Sequence, residues 1–401
     1  MQKTILCIGT LDTKGPEFYH MKELIEKKGH VALIMDISGL ERSPFLPDIT
    51  AEEVAKAAGK TIQEVRSFDD ANLAVEVMKS GAVRLVKDLY NSGKFQGAIS
   101  IGGTMGTYVG SVVMRELPIG VPKLILSSQA IVRAKLEDYV GTKDIVVMPS
   151  IADIAGLNVF TRKAIGDAVN AMIGMVEGPE LGVSERPVVF MSMMGTTTGC
   201  GLRVKSLLED KGFEVIVFHS IGIGGMTLEE LVETYPVKGV IELATNEIGN
   251  ELFGGVSTAG PKRLEAAGKK GVPQIITPGN IDFIGFLGPA ENVPAKYKNR
   301  KLHSHSPKAT AMRLNADEMK TVAEVISKKL NQASGTVKVL IPTRGFSAWD
   351  QKGRVFYDPY ADKVFIDSLK SMLDPRITVK EIDAHINDIK FADEVVSEFI
   401  V

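Results

Sequence analysis

The sequence predicts an α/β protein of two related halves, each a mostly parallel sheet covered by helices, and three observations point there. Short runs rich in Ile, Val and Leu alternate with segments of helical periodicity along nearly the whole chain, the pattern of parallel strands joined through helices. Periodicity then fails in Glu177-Gly-Pro-Glu-Leu-Gly-Val-Ser-Glu-Arg-Pro187, whose glycines and prolines read as a domain boundary. Beyond it the pattern restarts. Lys22-Glu-Leu-Ile-Glu-Lys-Lys-Gly29 and Lys205-Ser-Leu-Leu-Glu-Asp-Lys-Gly212 agree at five of eight positions, each between a strand-loop signal and a second strand. The expected domains are residues 1–183 and 184–401.

Taken in order, Thr4–Ile8, Val31–Asp36, Gly97–Ile101, Lys123–Leu126 and Ile145–Met148 read as fully buried strands. Phe18, Met21, Leu24 and Ile25 form one helical stripe, Met105, Val109, Val112 and Val113 another, and a helix runs from about Arg162 to Val176. In the second half, Gly239-Val-Ile-Glu-Leu243 answers Gly97-Ala-Ile-Ser-Ile101, and Gly271-Val-Pro273 answers Gly120-Val-Pro122. The halves therefore correspond, with unequal insertions. The first half's extra residues, Ser38 to Asp70, include a helical stretch near Ala51–Val65 and read as a lid or an oligomer arm. The second half continues past the repeat, with strands at Val337–Ile341 and Ile377–Ile382 and helices near Tyr360–Met372 and Ile389–Phe399.

Composition narrows the class. The 401 residues are 44% apolar and 24% charged, with a net charge of -2. A soluble globular chain follows, with no general electrostatic pull toward nucleic acid or an anionic membrane. The N-terminus enters a buried strand at Thr4 with no basic leader, and no apolar run is long enough to span a bilayer. Cys7 and Cys200, far apart, offer neither a disulfide framework nor metal-ligand spacing. A cytoplasmic location is the expectation.

In a doubly wound sheet, ligands bind beyond the carboxyl ends of the strands, so the loops there hold the candidates. The first is Gly9-Thr-Leu-Asp-Thr-Lys-Gly15. Lys14 suits a phosphate, Thr10 and Thr13 offer hydroxyls, and Asp12 suits a magnesium ion directly or through water. The spacing is not that of a Walker motif. Asp36 follows at about the distance where a dinucleotide fold places the acid that receives ribose hydroxyls. An ordinary strand-turn-helix joint would also account for these residues. The second loop is Gly102-Gly-Thr-Met-Gly-Thr107. Paired glycines let the backbone approach a ligand, and the first amides of the helix have no partners of their own. Thr104 reads equally as an N-cap. In the third loop, Ser150 to Asn158, Asp153 and Asn158 stand at the same sheet edge as candidate ligands or caps.

The second half keeps the turn but not its charges. Gly195-Thr-Thr-Thr-Gly-Cys-Gly201 stands where the first loop stands without its aspartate and lysine, and His219 replaces Asp36. Its other loops hold the catalytic candidates Glu247, Asp282, His303, His305 and Arg344. On an extended segment His303 and His305 face the same way, and with Glu247 or Asp282 they could ligate a metal. An exposed or hydrogen-bonded pair is the commoner arrangement. Arg344, close to the only tryptophan, Trp349, suits a carboxylate or phosphate beside a flat group; capping and packing are the alternative.

Gly9-Thr-Leu-Asp-Thr-Lys-Gly, Ser100-Ile-Gly-Gly-Thr-Met-Gly-Thr, Met194-Gly-Thr-Thr-Thr-Gly and Thr343-Arg-Gly-Phe-Ser together resemble the Tm-one-like ATP-binding domain family, named for the N-terminal half of the tomato mosaic virus resistance protein. The resemblance covers essentially the whole chain. It implies two Rossmann-like subdomains, ATP binding, a homodimer or higher homo-oligomer, and a TIM-barrel partner fused or encoded nearby. The expected function is ATP binding, with phosphates on Thr10, Asp12, Thr13, Lys14, Gly15, Gly102, Gly103, Thr104, Met105, Gly106 and Thr107, the ribose near Asp36, and magnesium held by the phosphates with Asp12. The alternatives are an enzyme whose inter-subdomain site acts on a small phosphorylated or carboxylated substrate, and a nucleotide-dependent regulatory or scaffold module.

Overall fold

The computed structural model describes residues 1–129 and 136–400. The chain divides into two compact units, Met1–Gly182 and Val183–Val401.

In the first unit, β1 (Thr4–Gly9), α1 (Leu11–Lys27), β2 (Val31–Asp36), α2 (Ala51–Ala57), α3 (Ile62–Arg66), α4 (Ala71–Asn91), β3 (Gly97–Gly102), α5 (Thr104–Arg115), β4 (Lys123–Ser127), α6 (Leu136–Val140), β5 (Ile145–Pro149) and α7 (Val159–Glu177) follow one another. The five strands form a parallel sheet in the order β2-β1-β3-β4-β5. Alternation along β1 divides the core. Leu6 and Ile8 join α2 to α5 on one face, while Ile5 and Cys7 join Phe18 and Met21 of α1 and Ala164 and Ala168 of α7 on the other. Burial on both faces is why the strands read as continuous apolar runs. The exception is β5, expected to be buried. It is an edge strand bonded only to β4, and Val146 is 43% exposed.

The expected helix at Ala51–Val65 is two short helices, each opened by a capping box, Thr50 with Glu53 and Thr61 with Glu64. Gly59, at φ 80, turns the chain between them. They are neither lid nor arm: Val54, Ala55, Ile62 and Val65 are buried against α4 in the sheet's core. The carbonyl of Val54 sits only 1.9 Å from where a side chain at Gly81 would begin.

The second unit contains β6 (Val188–Met193), α8 (Thr198–Asp210), β7 (Glu214–His219), α9 (Ile223–Thr234), β8 (Gly239–Ala244), α10 (Asn246–Phe253), α11 (Ala266–Lys270), β9 (Gln274–Gly279), β10 (Phe283–Leu287), β11 (Leu302–Ser306), β12 (Ala309–Arg313), α12 (Ala316–Leu330), β13 (Val337–Pro342), α13 (Pro359–Met372), β14 (Thr378–Ile382) and α14 (Ile389–Ile400). Its parallel sheet runs β14-β13-β9-β8-β6-β7, the first unit's order with one strand added. The repeat holds to the register: Ile5 pairs with Gly97 as Val189 pairs with Gly239, and Gly9 with Asp36 as Met193 with His219. The antiparallel sheet β10-β12-β11 is an insertion between β9 and β13. Sequence reasoning missed it because Leu302-His-Ser-His-Ser306 has no strong apolar alternation.

Candidate functional site

Strand order marks a candidate site at the carboxyl edge of the first unit's sheet. In β2-β1-β3, the helix after β1 packs on one face and the helix after β3 on the other. The two loops therefore diverge, the switch point at which such sheets bind ligands. A cavity of about 140 Å³ opens there. Thr10, Asp12 and Thr13 line it with polar groups, and Ile37, Leu40, Val75, Met78, Met105 and Val109 with apolar ones.

The amino end of α5 forms one border. Gly103 is its N-cap, and among the described residues no side chain caps the helix, so its first amides have no partner there. The two glycines differ in purpose. A side chain on Gly102 would begin 2.7 Å from the Gly106 Cα, so the sharp turn itself excludes one. One on Gly103 would meet only Ser128 Oγ, at 3.8 Å. Gly103 and the exposed Thr104 and Met105 thus face open space.

The β1 loop borders the cavity from the other side. α1 breaks at Lys14 (φ -126, ψ 21), two residues before Pro16, whose ring and missing N–H interrupt the helical ladder. The half-buried Lys14 ammonium has no hydrogen bond or ion pair among the described residues. Asp12 Oδ2 accepts the Glu41 N–H at 3.3 Å, while its Oδ1 is buried without a partner, as is Ser128 Oγ. The Thr10 and Thr13 hydroxyls lie 3.0 Å apart at the surface.

Other expected ligands are committed to the fold. Asp36 is 2% exposed. Its Oδ1 accepts the Leu11 N–H at 3.2 Å, the Ser38 N–H at 2.9 Å and the Ser38 hydroxyl. Burial raises its pKa, opposed by those bonds. Gly15 packs against Pro44, Gly106 lies under the Ile101 carbonyl, and the buried Thr107 Oγ1 sits 2.6 Å from Ser127 Oγ. Asn158 is an N-cap, accepting the Phe160 and Thr161 N–H groups. Sequence reasoning missed Ser128 and the α4 wall of Val75 and Met78; the Ser127-Ser128-Gln129 run directly after a strand was the available signal for Ser128.

The second unit stoppers its own helix ends. The Cys200 N–H of α8 donates to Asn387 Oδ1 at 3.3 Å. Glu247 Oε1 accepts the N–H groups of Gly222 and Gly225 at the start of α9, at 2.7 and 3.2 Å. Glu247 is 0% exposed, and its other oxygen meets the buried Arg263 at 2.6 Å, which also binds Glu242 and Glu229. This candidate catalyst is a structural carboxylate. Arg344 forms an exposed two-pronged pair with Asp383, at 2.6 and 2.7 Å.

Three candidates do gather. His303 and His305 lie against Trp349, with ring centres at 4.9 and 5.6 Å. The Trp349 N–H donates to Ser347 Oγ at 3.3 Å, and that hydroxyl donates to Asp282 Oδ2 at 2.8 Å. Among the described residues no group of three or more His, Cys, Asp or Glu is placed to hold a metal, so the histidine pair lacks the third ligand expected of it. Below Trp349, Asp282, Asp350 and Asp362 are buried around Arg313. Burial and the nearby Asp350 push Asp282 up to about 7 and Asp362 to about 9.

Residues 3–180 match the N-terminal domain and residues 186–401 the C-terminal domain of the family described as Uncharacterised protein family (UPF0261). A UPF0261 protein of Clostridium tetani is 39% identical over 403 residues, covering 100% of this chain and 99% of its own. The ToMV resistance protein Tm-1 of Solanum lycopersicum is 32% identical over 424 residues, covering 99% of this chain and 55% of its own length. Among solved structures, one of UDP-N-acetylglucosamine 2-epimerase matches at 8% identity and a TM-score of 0.23 over 100% of this chain and 96% of its own, too distant to carry an argument. No described helix is long and apolar enough to cross a membrane. With both halves matched and a relative alike from end to end, the chain belongs to the UPF0261 family, and the tomato Tm-1 proteins are its homologues.

Proposed function

We propose that the first unit binds ATP, with the phosphates at the amino end of α5, Lys14 as their counter-cation, and the base in the apolar slot between α4 and α5. The observation that supports this most is a cavity bordered by Met105 at the open end of α5 and by Thr10, Asp12 and Thr13 of the loop whose next residue, Lys14, carries an ammonium with no partner among the described residues. Helix amides and a lysine are a sufficient set of donors for a phosphate chain. The partnerless Asp12 Oδ1 and Ser128 Oγ fit a bound polar group. A magnesium ion would draw most of its ligands from the phosphates, with Asp12 the one carboxylate on the cavity wall; it would neutralise phosphate charge. Asp36 orders the loop and does not itself meet the ribose. A cytoplasmic homodimer acting with a TIM-barrel protein is carried over from the family resemblance, and co-purification with size-exclusion chromatography would test it.

Titration calorimetry with ATP, or a nonhydrolysable analogue, and magnesium tests the site. Lys14→Ala is expected to weaken binding by about tenfold or more, the worth of one charge-assisted hydrogen bond. Gly103→Glu, which meets no protein atom closer than 3.8 Å at its Cβ, is expected to abolish binding while the protein stays folded. His303→Ala should bind as the parent does. Parent-like affinity in Lys14→Ala and Gly103→Glu, or no binding by the unaltered protein, would sink the proposal.

A further inference from the structure

Beside the α5 turn, at the carboxyl ends of β4 and β5, lies a second cavity of about 270 Å³. At ~30 Å³ per water it has room for roughly nine waters or one small organic molecule. Ser127, Ser128, Gln129, Ser150, Ile151 and Asp153 line it. Ser128 joins it to the turn: its N–H donates to the Gly102 carbonyl at 3.2 Å, and its Oγ lies 3.8 Å from where a Gly103 side chain would begin.

The second unit shows what such loops do when they close. After β9 and β13, the counterparts of β4 and β5, the Asn280 N–H donates to the Phe346 carbonyl at 2.9 Å and Ser347 Oγ to Asp282 Oδ2 at 2.8 Å. In the first unit the Ser150 N–H meets the Ser127 carbonyl at 3.1 Å where the strands end. The chain then turns back on itself, with the Ala152 N–H on the Ser150 carbonyl at 2.7 Å and Ile151 at φ 67. That conformation is costly for a β-branched residue.

Among the described residues the walls offer hydroxyls, a carboxamide and one carboxylate, and no Lys, Arg or His. Ser127 Oγ accepts the Gln129 N–H at 2.9 Å, and one Asp153 oxygen accepts the Ile154 N–H at 2.8 Å. Among these described walls the one charge is the Asp153 carboxylate, which disfavours an anion, whereas a sugar hydroxyl both donates and accepts, as the serine hydroxyls and the Gln129 carboxamide do. We propose that this cavity is a binding subsite for a small neutral polyhydroxylated molecule, a sugar or polyol, seated beside the nucleotide phosphates. Its place beside phosphates rests on the ATP reading, while its chemistry does not.

Saturation-transfer NMR on the full chain with D-ribose, D-glucose and myo-inositol, each with and without ATP and magnesium, tests it. At least one probe should bind. Gln129→Ala and Asp153→Asn should each weaken that probe by about tenfold, the scale of one lost hydrogen bond, and leave ATP affinity unchanged. Lys14→Ala should weaken ATP by about tenfold or more and keep the probe measured without nucleotide. Binding of none of the three probes in either condition, parent-like probe binding in both cavity variants, or binding of putrescine in place of the polyols would overturn the proposal. Probe binding in a protein that fails to bind ATP would leave the subsite standing and remove the nucleotide reading.

Discussion

Asp36 Oδ1 accepts the Leu11 N–H at 3.2 Å, so the last residue of β2 fixes the first turn of α1. The same oxygen holds Ser38, whose hydroxyl accepts the Asp12 N–H at 3.1 Å. A carboxylate at the position where a ribose partner was expected thus shapes the loop that carries Lys14.

Asp36→Ala leaves the Leu11 and Ser38 amides unpaired in a buried setting. Urea unfolding should show a loss of about 1–3 kcal/mol, with Asp36→Asn, which keeps an acceptor, recovering much of it. Because the carboxylate is not offered to a ligand, 2′-deoxy-ATP and ATP should bind the parent equally well in calorimetry. A marked preference for ATP would return Asp36 to the ribose.

Arg263 pairs with all three of Glu229, Glu242 and Glu247. Arg263→Met strands three carboxylates inside the second unit, and a loss of about 3–5 kcal/mol or failure to fold is expected. Denaturant titration followed by circular dichroism measures it.

Asp282 and Asp362, buried around Arg313, make stability depend on pH. Raised acid pKa values mean that the folded protein holds more protons than the unfolded chain above the ordinary value of 3.8. Stability is therefore full below that value and is lost as pH rises through about 7 for Asp282 and about 9 for Asp362. Asp282→Asn should flatten the fall in melting temperature between these limits and melt at or above the parent at alkaline pH. An unchanged slope would show that the proton resides elsewhere.

Ile151 is 80% exposed at φ 67, so its side chain contributes little packing and its backbone is strained. Ile151→Gly should raise stability by about 1 kcal/mol, the relief of a left-handed β-branched residue less the added chain entropy of glycine. A thermal melt decides it, and a loss of stability would show that the side chain packs against something.

Much of the fold is legible in the residues themselves. The β-strands announce themselves because parallel strands covered on both faces must be apolar throughout. The match of Lys22–Gly29 to Lys205–Gly212 foretells two sheets with the same strand order. The β1 and β3 loops are found by the same reasoning, since ligands gather where strands end. β11 escapes it because a strand of a small antiparallel sheet carries too few buried side chains to leave a periodic signal, and β5, found as a strand, is an edge strand where full burial was expected.

The sequence by itself determined the strand-loop-helix units, their repetition and the loops that stand at the strand ends. Only the tertiary structure decided which helix ends are open. A helix N-terminus is satisfied by whichever acceptor the fold brings to it, and those acceptors come from far along the chain: Asp36 to Leu11, Glu247 to Gly222, and Asn387 to Cys200 across 187 residues. No local pattern encodes such meetings, because they depend on how strands order and helices pack. The result is that the second unit fills its turns from within, while among the described residues of the first no side chain caps α5 and none pairs with the Lys14 ammonium.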